Sequence, residues 1–83
     1  MRLDLFLKNT RIIKRRSAVK ELIQKGIITI GGEKPKVSKK VKEGMNIKVG
    51  DRSYEILKIP ERGIKKDEGE KYYRIIDDRN YSG

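Results

Sequence analysis

Four cations fall within the six residues "RIIKRR", positions 11–16, with no acid among them. Arg offers a planar fork of donors and Lys a compact point charge, both suited to phosphate. Directly after this run, "SAVKELIQKG" reads as a helix, and a helix N-terminus already carries roughly half a positive charge. Arg15, Arg16 and Lys20 therefore sit where each cation costs on the order of 0.3–1 kcal/mol. Crowding that is unfavourable in the free chain and relieved by an anion is the chemistry of phosphate binding at a helix start. Catalysis has little to work with: there is no His and no Cys, which removes the commonest general base, the usual nucleophile–base pairs and nearly every zinc ligand set. A nuclease would have to use the carboxylates Asp67, Glu68, Glu70, Asp77 and Asp78, which lie in loop and tail sequence without metal-ligand spacing. The expectation is a protein that is no enzyme and carries no metal and no cofactor.

The distribution of charge supports a binding role. The net charge is +10, and residues 1–48 hold all of it, with 14 Lys+Arg against 4 Asp+Glu, while residues 49–83 hold 8 of each. A basic segment joined to a balanced one points to a polyanion-binding face more than to general solubility. Acidic membrane lipid would need an apolar face free to insert, and the apolar faces here are needed by the core. No run of 18 apolar residues occurs and "MRLDLFLKN" is too short and interrupted for a secretory signal, so the expected location is the cytoplasm. A chain of 83 residues makes one small domain that buries only about 60–65% of its unfolded surface.

The elements that must position the cations are short. Leu3, Phe6 and Leu7 at i, i+3, i+4 predict a first helix, with Asp4 in its first turn, where a carboxylate favours the dipole. Val19, Leu22 and Ile23 form the buried stripe of a second helix, with Ser17 as its N-cap and Gly26 as its stop. The period then changes. "IITI" before Gly31-Gly32 reads as a strand entering a tight turn, with Ile28 and Ile30 on one face. "EKPKVSKKVKEG" is a cationic connector whose Val37 and Val41 touch the core. "MNIKV" alternates with Met45, Ile47 and Val49 inward, and Gly50-Asp51 makes a two-residue hairpin loop. In "RSYEILKI" the apolar phase shifts from Tyr54 and Ile56 to Leu57 and Ile59, which indicates a bulge or a change of buried face. Residues 61–71 read as a mixed-charge loop, "KYYRII" as a last strand and residues 77–83 as a polar tail. The fold class is α+β, a two-helix hairpin packed on a small, largely antiparallel sheet. Residues 1–49 form the basic module and 50–76 its strand-rich completion.

With the stripe of the second helix buried, Arg16, Lys20 and Gln24, spaced by four, lie on its opposite side. Arg11 and Lys14 occupy the inter-helix turn, and Arg2, at the start of the first helix, converges with them if the helices form a hairpin. The connector adds Lys34, Lys36, Lys39 and Lys40. Many phosphate contacts from one folded face are what nucleic-acid affinity requires. Only two helices are visible and base-reading side chains are scarce, so recognition of structured RNA by shape fits better than reading of DNA. Tyr54, Tyr72 and Tyr73 are assigned to packing rather than to base stacking, and Gly31-Gly32 to a turn without ligand contact.

The residues "RLDLFL" at 2–7, Arg11, "RRSA" at 15–18, Gly26, "ITIGG" at 28–32 and "VKEG" at 41–44 resemble the RNA-binding domain of the small-subunit ribosomal protein S-four type, over about residues 2–49. The family usually has Asn-Gly where this chain has Gly31-Gly32, and Gly-Asp where it has Gly44-Met45. The resemblance implies the alpha-L arrangement and RNA contacts at Arg2, Arg11, Lys14, Arg15, Arg16 and Lys20, with Asp4 organising the hairpin and Ser17, Gly26 and Gly32 supporting it. The shape of the chain is most similar to the small bacterial ribosome-associated quality-control factor P and heat-shock fifteen-kilodalton protein family. That likeness implies large-subunit rRNA, peptidyl-tRNA and an RqcH-type tailing factor as partners, a ribosome-associated location in the cytoplasm, and a monomer when free. A ribosome-maturation or RNA-chaperone role for the same basic face is the alternative.

Overall fold

The computed structural model describes residues 1–76, apart from the side chain of Lys66; the expected tail at 77–83 lies outside the described residues. Two helices, α1 (Leu3–Asn9) and α2 (Arg16–Gln24), precede four strands, β1 (Ile28–Thr29), β2 (Asn46–Val49), β3 (Arg52–Ile56) and β4 (Tyr73–Ile76). The strands form one antiparallel sheet in the order β1-β2-β3-β4. Both helices pack on one face of it, and the core joins Leu3, Phe6, Leu7, Val19 and Ile23 to Ile28, Val41, Ile47 and Ile56. Period-2 alternation leaves Thr29, Asn46, Lys48 and Ser53 on the other face. The α+β reading therefore holds.

Neither helix is long enough to stand alone, and each is finished by groups distant in sequence or by special backbone. At the start of α1, the free N–H groups of Leu3 and Asp4 donate to the carbonyls of Lys39 and Val37, at 2.7 and 3.2 Å, and Val41 N–H donates to the Met1 carbonyl at 2.8 Å. The connector is thus a strap laid along residues 1–4, with a bridge between Arg2 and Lys40. At the end of α2, Gly26 adopts φ +77°, its N–H donates to Ile23, and Ile27 N–H donates to Leu22. This pair of bonds satisfies the last carbonyls and needs a left-handed residue at position 26.

The start of α2 departs from expectation. Ser17 is not the N-cap: Arg15 takes that position, Arg16 is already helical, and no side chain caps the end. The helix begins two residues earlier than expected, at Arg16, because Arg16 has a partner across the molecule, described below. Residues 61–71 are also more ordered than a loop: Lys66–Lys71 form a 3₁₀ helix, and Pro60 and Ile64 are buried.

The phase shift in "RSYEILKI" is a bulge. Leu57 and Lys58 both donate their N–H groups to the Tyr72 carbonyl, at 2.8 and 3.2 Å, so two residues face one. Beyond it Ile59 packs against the core, but Leu57 stays 41% exposed because the extra residue turns it outward. Tyr54 and Tyr73 meet edge to face at 5.3 Å, in keeping with a packing role.

Candidate RNA-binding site

The site is organised by one carboxylate. Asp4 is buried, with 8% of its side chain exposed, and receives Arg16 Nε at 2.9 Å and Arg2 Nε at 3.3 Å. Leu5 N–H donates to Oδ1, the oxygen that faces Arg2 Nε, at 2.9 Å, while Arg16 Nε takes Oδ2. Burial by itself would raise its pKa; the hydrogen bond and charge of Arg16, the charge of Arg2 and the Leu5 N–H outweigh that and hold the carboxyl below its ordinary value. Asp4 is therefore ionised at neutral pH and fixes the bases of two guanidinium groups whose side chains stay 45% and 47% exposed. The convergence of Arg2 with the second helix is real, and it is made through this shared anion.

From Arg16 the exposed positions Lys20 and Gln24 continue along α2, a nine-residue helix about 13 Å long. At its far end Lys34 Nζ donates to the Gln24 carbonyl at 3.0 Å, where a cation also favours the helix dipole. The stripe thus runs from the Arg2–Asp4–Arg16 junction through Lys20 to Lys34. The strap holds Lys36, Lys39 and Lys40, all exposed, beside the first turn of α1, so these lysines join the Arg2 end while Lys34 joins the other.

Arg11 and Lys14 stand apart from this line. Together with Lys8, Gly63 and Ile64 they line a recess at the end of α1, closed where Ile64 N–H donates to the Asn9 carbonyl at 3.0 Å. Arg11 has φ +67°, and no other non-glycine residue among those described has a positive φ. A side chain in that left-handed position costs roughly 1–2 kcal/mol, and a C′ residue there is usually Gly. Lys8 is missing from the sequence reading, although its three-residue spacing from Arg11 across a helix end is the signal that would have found it.

Arg15 is exposed at the cap of α2. Gly31 and Gly32, at φ +62° and +82°, form a two-residue turn closed by paired bonds between Ile30 and Glu33 at 2.9 and 3.2 Å, and both positive angles favour glycine there. Glu21 and Lys25 form an exposed i,i+4 pair at 3.1 Å. Among the described residues no group of three or more acids could hold a metal ion, and no helix is long and apolar enough to cross a membrane. Asp77 and Asp78 lie outside the described residues.

Comparison with known proteins agrees with the fold. The family model described as S4 domain matches residues 1–47. A relative from Halalkalibacterium halodurans, named RQC P-site tRNA stabilizing factor, is 39% identical over 79 residues, covering 90% of this chain and 89% of that protein. A Bacillus subtilis protein of the same name is 36% identical over 80 residues, covering 92% of each. The trimeric structure of Heat Shock Protein 15 from Vibrio cholerae superposes with a TM-score of 0.82 at 29% identity, over 92% of this chain and 81% of that one. The chain belongs to the S4 domain family and, within it, to the family of the RQC P-site tRNA stabilizing factors.

Proposed function

We propose that this protein is a non-enzymatic RNA-binding factor of the large ribosomal subunit, which steadies peptidyl-tRNA in the P site of obstructed subunits while an RqcH-type partner tails the nascent chain. The observation that carries the reading is the stripe anchored on Asp4. By this reading Arg2, Arg16, Lys20 and the strap lysines Lys36, Lys39 and Lys40 meet RNA phosphates; its support is the Arg2–Asp4–Arg16 junction and the exposure of these lysines, in a chain whose relatives at 36–39% identity are named for P-site tRNA stabilization. Arg11, Lys14 and Arg15 add contacts at the inter-helix turn, and Lys34 closes the far end. Gly26 and Gly32 support the site by shaping the backbone around it, whereas Ser17, which caps nothing, has no such part.

Binding of this kind works by replacing condensed counterions and positioning a body of RNA, with no bond made or broken. It places the protein on cytoplasmic ribosomes, and as a free chain it is a monomer by this reading.

The test is cosedimentation of Arg15→Ala/Arg16→Ala with purified large subunits carrying peptidyl-tRNA. Recovery falls sharply while circular dichroism is retained; undiminished recovery refutes the site. Recovery chiefly with precursor particles instead of mature subunits replaces this reading with a maturation role. Sedimentation velocity of the free protein tests the monomer, which a trimer would overturn.

A further inference from the structure

A factor that steadies one RNA on another must hold two bodies, and the stripe along α2 is one surface. The sheet face turned away from the helices carries a second candidate. There Thr29, Lys48 and Ser53 stand side by side in one cross-strand row, with Asn46 on the same face, and all four line a single recess rimmed by the Gly31-Gly32 turn. The Cβ atoms of facing residues in such a row lie about 5 Å apart, so the exposed Lys48 side chain rises from between two hydroxyl-bearing neighbours.

Three features give the recess its chemistry. No Asp or Glu lines it, and among the described residues Lys48 has no ion pair. The carboxylate diagonal to it, Glu55, is engaged by Arg74 at 2.5 Å. Lys34, held on the end of α2, stands at the rim, its Cε 3.8 Å from where a Cβ on Gly26 would be. A cationic donor set of hydroxyls, amide and ammonium without a carboxylate complements a ribose-phosphate backbone, whose phosphate takes the ammonium and whose 2′-hydroxyl both donates and accepts.

We infer that the recess formed by Thr29, Asn46, Lys48 and Ser53 is a second RNA site, taking the sugar-phosphate backbone of the RNA body that the α2 stripe does not hold. This rests on the proposed function and deepens it: the protein bridges tRNA and rRNA through opposite faces of one sheet-and-helix layer.

The experiment uses the full chain in three measurements: sedimentation with large subunits free of tRNA, filter binding to deacylated tRNA, and retention of P-site tRNA on subunits. Lys48→Glu is compared with Arg16→Ala/Lys20→Ala, with Lys71→Glu, at the end of the 3₁₀ helix and lining neither the recess nor the stripe, as a control of equal charge change. Lys48→Glu weakens one of the first two measurements by about tenfold and lowers its salt slope by about 1. It leaves the other within about twofold, where the stripe variant does the reverse, and both variants lose tRNA retention. Lys48→Arg restores wild-type values. The inference is overturned if Lys48→Glu changes nothing beyond the Lys71→Glu control, or weakens the same measurement as the stripe variant. If wild type binds neither subunits nor tRNA, the proposed function itself fails.

Discussion

Replacing Asp4 with Asn separates positioning from simple charge, because the two predict opposite signs. The substitution is nearly isosteric and raises the net charge above its present +10, so a purely electrostatic account has RNA binding tighten. The geometry predicts weakening. Asp4 holds Arg16 Nε at 2.9 Å and Arg2 Nε at 3.3 Å, which immobilises two side chains that each carry about 2 kcal/mol of rotamer entropy when free. If a quarter of that returns on loss of the anion, the bound state loses about 1 kcal/mol, or roughly fivefold in affinity. Stability falls as well: hydrogen bonds to charged groups contribute about 1.5–3 kcal/mol each, and partners nearly half exposed reduce the sum to about 1–2 kcal/mol. The assay is fluorescence anisotropy with a labelled structured RNA over a salt series, paired with thermal melts to confirm folding. A folded Asp4→Asn protein that binds as tightly as wild type, or more tightly, refutes the reasoning.

The same carboxylate sets an acid limit. Its folded-state pKa lies below the ordinary aspartate value of 3.8, so its contribution to stability is complete above that value and is lost as pH falls through the depressed one. Urea midpoints measured down this range fall for wild type and flatten in Asp4→Asn. Arg11→Gly relieves the left-handed strain and raises stability by about 0.5–1 kcal/mol after the entropy of glycine in the unfolded chain is counted, while RNA affinity drops; a melt and a binding isotherm on one sample read both. Gly69→Ala places a methyl 2.7 Å from Tyr73 Oη and 3.0 Å from two ring carbons, which displaces the ring from Tyr54; a lowered melting temperature with changed near-UV dichroism checks it. Phe6→Ala, fully buried in the core, costs about 3–5 kcal/mol and leaves the chain largely unfolded by circular dichroism.

Much of the fold was legible because its signals are local. Val19, Leu22 and Ile23 announced α2 by spacing alone, the Gly50-Asp51 hairpin announced its own register, and the phase slip at Ile56–Leu57 announced the bulge. What escaped depended on partners far along the chain. Ser17 has the chemistry of a cap, yet the helix starts at Arg16 because Asp4, twelve residues earlier, draws that guanidinium into place. The 3₁₀ turn at Lys66–Lys71 shows no apolar period, since its sequence KDEGEK holds no apolar side chain; Gly69 is buried, against the Tyr73 ring. For the site, charge density picked out the cations, but nothing in their spacing divides them into the α2 stripe and the Arg11 recess; that division is made by the strap and by the loop that closes on Asn9.

The strap has a consequence for how the molecule is made. Seven residues of α1 cannot persist as an isolated helix, and its first two amides find their acceptors only in Val37 and Lys39. During synthesis the opening segment must therefore wait, unstructured, until those residues have left the exit tunnel. The Arg2–Asp4–Arg16 junction is then assembled together with the helix that carries it, so a nascent chain displays no finished phosphate grip while it is still threaded through a ribosome of its own.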